Sequence, residues 1–243
     1  MGIFERLGKR RYAPGPGVTG APPERGAGRF FFLLTTHFWK LLALNLLLVA
    51  FSLPVISAPA ALSGANRVLM KLTREGNCFL WSDFWSEFRQ SFWKSVPVGL
   101  LFALMFAAGF WLIGIANASE GMARIIAGGI AAFAIVLALL WGGYAFVLLS
   151  MLEQPVLTLL KNALALLVLD ARHTLCALLA LLCMNGVVLA LLPGGVVLTL
   201  LLWPALTQLM LCMNVNVPLQ THIIGPMTAA NAAPPAPDGD EAA

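Results

Sequence analysis

Charged side chains are scarce in this sequence, and their scarcity excludes the ordinary classes of soluble protein. Only 11% of the 243 residues are charged and 60% are hydrophobic, whereas soluble domains carry about a quarter charged residues. A water-soluble fold needs more polar surface than this, and a disordered chain would be far less apolar. The net charge of +4 comes from basic clusters between apolar runs. This pattern is typical of membrane-protein loops and not of a nucleic-acid-binding surface.

Patterns that support catalysis or metal binding are also lacking. The three histidines, His37, His173 and His222, are far apart, and the four cysteines form no C-x-x-C pair. We interpret the cysteines as buried thiols that act as small hydrophobic residues. The sequence has no phosphate-binding G-x-x-x-x-G-K-[ST] loop, no G-x-S-x-G and no H-E-x-x-H motif. We therefore expect no enzymatic activity, no cofactor and no metal site.

Long uncharged runs are present instead, and they predict an all-α polytopic bundle of transmembrane helices. These runs cover residues 41–66, 95–116, 125–152 and 174–221, and a spanning helix needs only about 20 apolar residues. As one helix the last run would extend about 72 Å, so we expect Pro193-Gly194-Gly195 to divide it into spans at 174–192 and 196–217. With the first run, this gives about five spans. The short segment 155–170 is predicted to be an interfacial or partly buried helix.

The first run is predicted to form a proline-broken hairpin. Basic residues are frequent both before residue 41 and between 67 and 94, and cytoplasmic loops are enriched in Lys and Arg. A single crossing would place one of these clusters outside the cell. A hairpin that enters through 41–53, turns at Pro54–Pro59 and returns through 60–72 removes the conflict. The return arm is about 20 Å long, so the hairpin either spans the membrane or re-enters it. Both termini and residues 75–94 are then cytoplasmic.

Residues 81–94 are predicted to form an amphipathic helix in the membrane interface. An aromatic stripe repeats at helical spacing, and Asp83, Glu87, Arg89 and Gln90 occupy the other faces. Packing against a neighbouring cytoplasmic helix is the alternative. The predicted organisation is a basic, Pro/Gly-rich cytoplasmic tail at 1–29, a transmembrane domain at 30–222, and a disordered tail at 223–243. The aromatic stripe consists of Trp81, Phe84, Trp85, Phe88 and Phe92.

The candidate functional residues inside the spans are amides. Asn45, Asn185, Gln208 and Asn214 lie in apolar runs, where such groups form hydrogen bonds between neighbouring helices. This is the structural interpretation. In the alternative, Asn45 or Gln208 lines a path for a substrate. Small residues at Gly99, Ala103 and Ala107, and at Ala123, Ala127 and Ala131, predict close helix packing.

Residues 30–100 resemble the opening of the YesL-like bacterial membrane proteins most clearly, and the similarity extends through about residue 217. The run from Phe38 to Leu48, which contains Asn45, is closed by Phe51-Ser52-Leu53-Pro54-Val55. The next similar elements are Pro59-Ala60-Ala61-Leu62, Lys71-Leu72 with Arg74, the aromatic helix around Asp83-Phe84, and later Lys161-Asn162-Ala163-Leu164. The family-motif positions are thus Asn45, Pro54, Pro59, Lys71 and Asn162. One departure is Glu153-Gln154-Pro155, where members of the family often carry an Ala-Arg-Phe-Asp-like stretch.

The resemblance implies a bacterial plasma-membrane protein associated with carbohydrate utilisation and sugar uptake. On this basis we expect a multi-pass, non-catalytic accessory or regulatory component. Its partners would be the lipid bilayer and components of a sugar transporter, with no nucleic acid. The alternative is a permease that itself moves a small solute such as a sugar. The residues alone name no substrate.

Overall fold

A computed structural model of the chain describes residues 26–191 and 196–224, and every regular element in these ranges is helical. The all-α prediction is confirmed for this part of the chain. The predicted break at Pro193–Gly195, most of the predicted N-terminal tail and residues 225–243 lie outside the described residues. The helices are α1 Gly26–Thr36, α2 Phe38–Ser52, α3 Ala58–Glu75, α4 Leu80–Ala118, α5 Gly121–Met151, α6 Val156–Leu169, α7 Ala171–Leu191 and α8 Val196–Leu219, followed by a π-helical turn at Gln220–Ile224.

Two of the described helices, α4 and α5, are each long and apolar enough to cross a membrane. Two bent pairs raise the number to four if each pair forms one span. The segment Gly28–Thr36 meets Phe38–Ser52 at 83°, and Val156–Leu169 meets Ala171–Cys183 at 89°. The described ranges therefore carry two to four candidate spans by length and composition, and the figure of about five for the whole chain stays a prediction. Helix α6 has nearly the bounds predicted for the short segment 155–170.

Helices α2 and α3 form an antiparallel hairpin, with a turn where Pro54 and Pro59 predicted one. The Nζ atom of Lys40, near the start of α2, donates to Asn77 Oδ1 at 2.6 Å, just beyond the end of α3. Pro59 lies in the first turn of α3, where its missing N–H costs no helical hydrogen bond. The basic residues on either side of the hairpin therefore share one end of the molecule, here called the basic end.

The tip of this hairpin packs against the middle of α4. A Cβ atom placed on Gly99 would lie 2.2 Å from Pro59 Cγ, so only glycine permits this approach. Beyond Gly99, α4 advances about 28 Å to Ala118 at ~1.5 Å per residue, which is close to the ~30 Å hydrocarbon thickness of a bilayer. Most of the apolar half of α4 therefore extends beyond the hairpin tip.

The predicted separate amphipathic helix at 81–94 is wrong in two respects. Residues 81–94 are the first part of the continuous 39-residue helix α4, which includes Pro97. The buried face is also mixed rather than purely aromatic, because Asp83 and Glu87 are only 8% exposed and share it with the fully buried Phe84, whereas Trp81 is 58% exposed. The physical reason is that α3 presents polar partners to the polar face of α4. The alternative interpretation, packing against a neighbouring helix, describes this arrangement.

Small residues bring α4 and α5 together, although not the whole ladder that the sequence suggested. A Cβ atom on Gly109 would lie 2.6 Å from Ile135 Cγ1, and one on Gly142 would lie 3.2 Å from Phe102 Cγ. Ala131 is fully buried in this contact. Ala103 and Ala107 are exposed, because they lie on the opposite face of α4, so the predicted ladder through them does not pack.

Candidate functional site

Two polar ladders face each other on α3 and α4 at the basic end of the molecule. Gly76 ends α3 in the left-handed conformation, with φ 72°, and its N–H donates to Leu72 O at 3.1 Å. This cap reverses the chain, so that α4 runs back along α3. Residues at spacing i, i+4, i+8 lie on one helix face. The ladders, here called the polar cluster, are Ser63, Arg67 and Lys71 on α3, and Asp83, Glu87 and Ser91 on α4.

An ion pair lies at the outer end of the polar cluster. Lys71 Nζ is 2.6 Å from Asp83 Oδ1, and the side chains are 31% and 11% exposed. The other carboxylate oxygen, Asp83 Oδ2, accepts the backbone N–H of Phe79 at 2.9 Å. Asp83 therefore satisfies a free N–H at the start of α4 and places negative charge at the positive end of the helix dipole.

Glu87 lies deeper in the polar cluster and is tied to both ladders. Its Oε1 accepts a hydrogen bond from Ser63 Oγ at 3.1 Å, and its backbone oxygen accepts one from Ser91 Oγ at 2.8 Å. Arg67 is the nearest cationic neighbour on α3 and donates from Nη1 to Ser150 O at 2.9 Å. Because Ser150 lies in the last turn of α5, Arg67 also places positive charge at the negative end of that helix.

A cavity of about 130 Å³ opens between the polar cluster and the end of α5. It is electrically balanced, since its lining includes the bases Arg67 and Lys94 and the acids Glu87 and Glu153. Gln90 Nε2 donates to Glu153 Oε1 at 2.5 Å across its rim. Most of these polar groups are thus held by protein partners. The cavity is well below the ~300–1,000 Å³ typical of pockets for small-molecule ligands.

Further basic side chains stabilise the same end of the molecule. Arg29 of α1 donates to Thr73 O at 3.1 Å, and Arg74 Nε donates to Asn216 Oδ1 of α8 at 2.8 Å. Lys40 also reaches Cys78 O at 3.4 Å. Burial raises the pKa of the Cys78 thiol above its ordinary value, because the thiolate would lose hydration there.

Asn45 lies outside the polar cluster, in the contact between α2 and α8. It is 1% exposed, and its Oδ1 accepts the backbone N–H of Ala205 at 3.2 Å. Ala205 follows Pro204, which lies inside α8. Prolines in membrane helices disturb local hydrogen bonds, and side chains of neighbouring helices satisfy the freed groups. This contact is of the kind that the helix-bridging interpretation of Asn45 expects.

Two of the other candidate amides, Gln208 and Asn214, lie further along α8 than the Asn45 contact at Ala205. Asn214 Nδ2 donates to Met210 O of its own helix at 2.9 Å, so it forms no bridge there between helices. Gln208 lines a second cavity, and its Oε1 is buried with no hydrogen-bond partner among the described residues. Asn185 belongs to α7, and its side chain lies outside the part of the chain that the structure describes.

The family-motif positions occupy four separate places, one of which is the Asn45 contact between α2 and α8. Lys71 belongs to the polar cluster, whereas Pro54 and Pro59 form the hairpin tip. Asn162 Nδ2 donates to Gln154 Oε1 at 2.8 Å and so joins α6 to the loop before it. These positions have structural partners rather than one common site.

The centre of the polar cluster was not predicted from the sequence; it consists of Ser63, Arg67 and Glu87. A signal was available, because Ser63, Arg67 and Lys71 repeat at spacing four, as do Asp83, Glu87 and Ser91, and a glycine turn joins the two ladders. The strong aromatic stripe suggested a lipid-facing helix and concealed this match. Within the described ranges, no group of three or more His, Cys, Asp or Glu side chains is placed to hold a metal ion.

Comparison with known proteins gives a family without an assigned activity. Residues 41–115 are similar to the family described as Protein of unknown function, DUF624, which YesL-like proteins carry. The match spans α2, α3 and most of α4, and therefore contains the whole polar cluster. No curated protein and no solved structure matches the chain.

Proposed function

We propose that this protein is a non-catalytic, multi-pass component of the bacterial plasma membrane that assists or regulates carbohydrate uptake. The link to carbohydrate rests on the resemblance to YesL-like proteins over the segment that contains the polar cluster. The membrane location rests on α4 and α5, which are long and apolar enough to span a bilayer. The basic residues at one end favour a cytoplasmic position for that end.

The main support for an accessory role is that the groups of the polar cluster already have partners within the protein. Its ionised groups have protein partners: Lys71 pairs with Asp83, Ser63 donates to Glu87, and Arg67 donates to Ser150 O. The adjoining cavity, at about 130 Å³, is less than half the ~300 Å³ at which small-molecule pockets begin. A sugar permease needs open polar groups in a larger space. A cluster whose groups satisfy one another instead fixes α3, α4 and α5 in one arrangement, as a rigid accessory subunit requires.

Two measurements of sugar uptake, one in cells and one in vesicles, test the proposal. A strain that lacks the gene should accumulate radiolabelled sugar more slowly, and the intact gene should restore the rate. The purified protein alone, in proteoliposomes, should give no sugar flux above that of protein-free vesicles. A tagged copy solubilised in mild detergent should co-purify with a sugar-transport permease.

The alternative, a permease, predicts the opposite result in vesicles. Sugar flux through the reconstituted protein alone, lost on Asn45→Ala or Gln208→Ala, would replace the accessory role. Unchanged sugar uptake in the deletion strain across all sugars that the cell can use would remove the link to carbohydrate.

A further inference from the structure

The cavity beside the polar cluster is lined by a buried acid that has no ionic partner. Glu87 borders this space of about 130 Å³ and is only 8% exposed. Among the described residues Glu87 forms no ion pair, and its carboxylate accepts one hydrogen bond, from Ser63 Oγ at 3.1 Å. Buried charges in proteins are usually paired with an opposite charge. The carboxylate of Glu87 therefore lacks the cation that its burial calls for.

Two cations line the same cavity without pairing with this acid. Arg67 donates from Nη1 to Ser150 O, and Lys94 is exposed and has no ion pair in the described ranges. Opposite charges in direct contact would attract each other strongly at a partly buried site. Here the acid and the bases border one shared space instead, so a molecule that carries both signs of charge fits between them.

The order of these groups along α4 is the order of the charges in a phospholipid. Lys94 immediately precedes the uncharged run 95–116, which places it at the level of the headgroups when that run crosses a bilayer. Glu87 lies about 10 Å further from the hydrocarbon, at ~1.5 Å per residue. In an aminophospholipid the phosphate likewise lies next to the acyl chains, and the amino group lies beyond it.

We propose that the cavity binds the headgroup of a phospholipid that carries a phosphodiester and a primary ammonium, as in phosphatidylethanolamine. Lys94 binds the phosphate at the mouth, and Glu87 accepts hydrogen bonds from the ammonium, which like that of lysine has three N–H donors. The balance of acids and bases in the lining favours a neutral zwitterion over an anionic headgroup.

The size of the cavity suits one end of a lipid. A space of roughly 150 Å³ admits a benzene-sized molecule, so about 130 Å³ admits the aminoethyl end of the headgroup while the acyl chains stay in the bilayer. A cavity too small for a whole sugar is therefore large enough for this ligand. The inference rests on the proposed membrane location and not on the link to carbohydrate uptake.

Native mass spectrometry of the full-length protein in detergent tests this proposal. The protein is titrated with phosphatidylethanolamine, phosphatidylcholine and phosphatidylglycerol that have identical acyl chains. Phosphatidylethanolamine should bind most tightly, because choline has no N–H to donate to Glu87 and phosphatidylglycerol has no cation. Soluble phosphoethanolamine at the same concentration should not displace the lipid, since it lacks the acyl chains.

Three variants assign the contacts. Glu87→Gln keeps an acceptor for Ser63 and removes the charge, so it should weaken phosphatidylethanolamine binding roughly tenfold, the loss of one hydrogen bond between charged groups, and leave phosphatidylcholine unchanged. Lys94→Gln, at an exposed position, should weaken the binding of both lipids. The matched control is Lys161→Gln, which removes an exposed cation of α6 outside the cavity and should change neither.

Several results would overturn the proposal. Equal binding of the three lipids, or an unchanged preference for phosphatidylethanolamine over phosphatidylcholine in Glu87→Gln, would show that the acid selects no ammonium. If Glu87→Gln does not fold, Lys94→Gln decides, and unchanged lipid binding in that variant refutes the site. Displacement of the lipid by an equal concentration of phosphoethanolamine would assign the cavity to a free metabolite instead of a lipid. Sugar uptake in the deletion strain depends on none of these results, so the two proposals fail separately.

Discussion

The burial and the partners of Asp83 depend on the helix opposite it, α3. Taken alone, its position on the amphipathic segment 81–94 suggests a solvated carboxylate. In the structure, it is 8% exposed and is held by Lys71 on one oxygen and by the Phe79 N–H on the other. The helix and its residue types could be predicted from the sequence, but the partner of Asp83 could not, because pairing between helices depends on how α3 and α4 are rotated about their axes.

Asp83→Asn should destabilise the protein by about 2 kcal/mol. The change removes the charge that Lys71 requires, and breaking a buried pair costs ~3–5 kcal/mol, which partial exposure of Lys71 reduces. Thermal unfolding in detergent measures the effect. Arg89→Gln, on the exposed side of the same helix, is the matched control and should shift stability by no more than ~0.5 kcal/mol. Equal effects of the two variants would show that the ion pair contributes nothing.

Cys78 should react slowly with maleimides near neutral pH. Burial raises the pKa of its thiol, and the thiolate is the reactive form, so its modification rate should rise only at a higher pH than for an exposed thiol. A pH series of alkylation in a variant that keeps only this cysteine measures the effect, with the SDS-unfolded protein as control. Identical pH profiles for the folded and unfolded protein would contradict it.

At the scale of elements, the helices with a strong local sequence pattern were the ones that could be predicted. The prolines and the basic clusters predicted the α2–α3 hairpin, and length and apolarity predicted α4 and α5. The continuity of α4 through Pro97 was not predictable in the same way, because its first half is amphipathic and its second half uniformly apolar. Gly99 was identified only as one member of a small-residue ladder, and its specific contact with Pro59 depends on where the hairpin tip docks.

Gly99→Ala should weaken the docking of the hairpin tip. The added Cβ would meet the rigid Pro59 ring at 2.2 Å, and overpacking of this kind costs ~1–3 kcal/mol. The control is Gly114→Ala in the same helix, where nothing lies within 4 Å of the added atom. That variant should be neutral or more stable by up to ~1 kcal/mol, since alanine is the better helix former. Thermal unfolding in the same detergent should therefore move in opposite directions for the two variants, and equal shifts would refute the contact.

At the scale of the whole molecule, the hairpin explains how basic residues before and after it lie on one side. Lys40 contacts Asn77, and Arg29 contacts Thr73 O, so both basic segments meet at the basic end. The hairpin tip carries exposed apolar residues, with Val55 at 82% and Ile56 at 71%, and Ser57 Oγ donates to Phe51 O and Pro54 O. A tip with satisfied backbone groups and an apolar surface is suited to a position inside the near leaflet.

The depth of the hairpin tip in the bilayer follows from its contact with α4, and the sequence alone did not determine this depth. If the apolar segment 95–116 crosses the bilayer, Gly99 lies about 6 Å below its start at ~1.5 Å per residue. The tip at Pro59 therefore enters the hydrocarbon without reaching the far side. We predict a re-entrant hairpin, with the basic end in the cytoplasm and the connection between α4 and α5 outside.

Cysteine labelling with a membrane-impermeant maleimide, in a cysteine-free background, tests this central arrangement most directly. Glu75→Cys reports on the basic end, Val55→Cys on the hairpin tip and Ser119→Cys on the connection between α4 and α5. In intact cells only Ser119→Cys should be labelled. After permeabilisation Glu75→Cys should become reactive, whereas Val55→Cys should stay unlabelled in hydrocarbon. Labelling of Val55→Cys from outside would show that the hairpin crosses the membrane, and labelling of Glu75→Cys from outside would show that the basic end is not cytoplasmic.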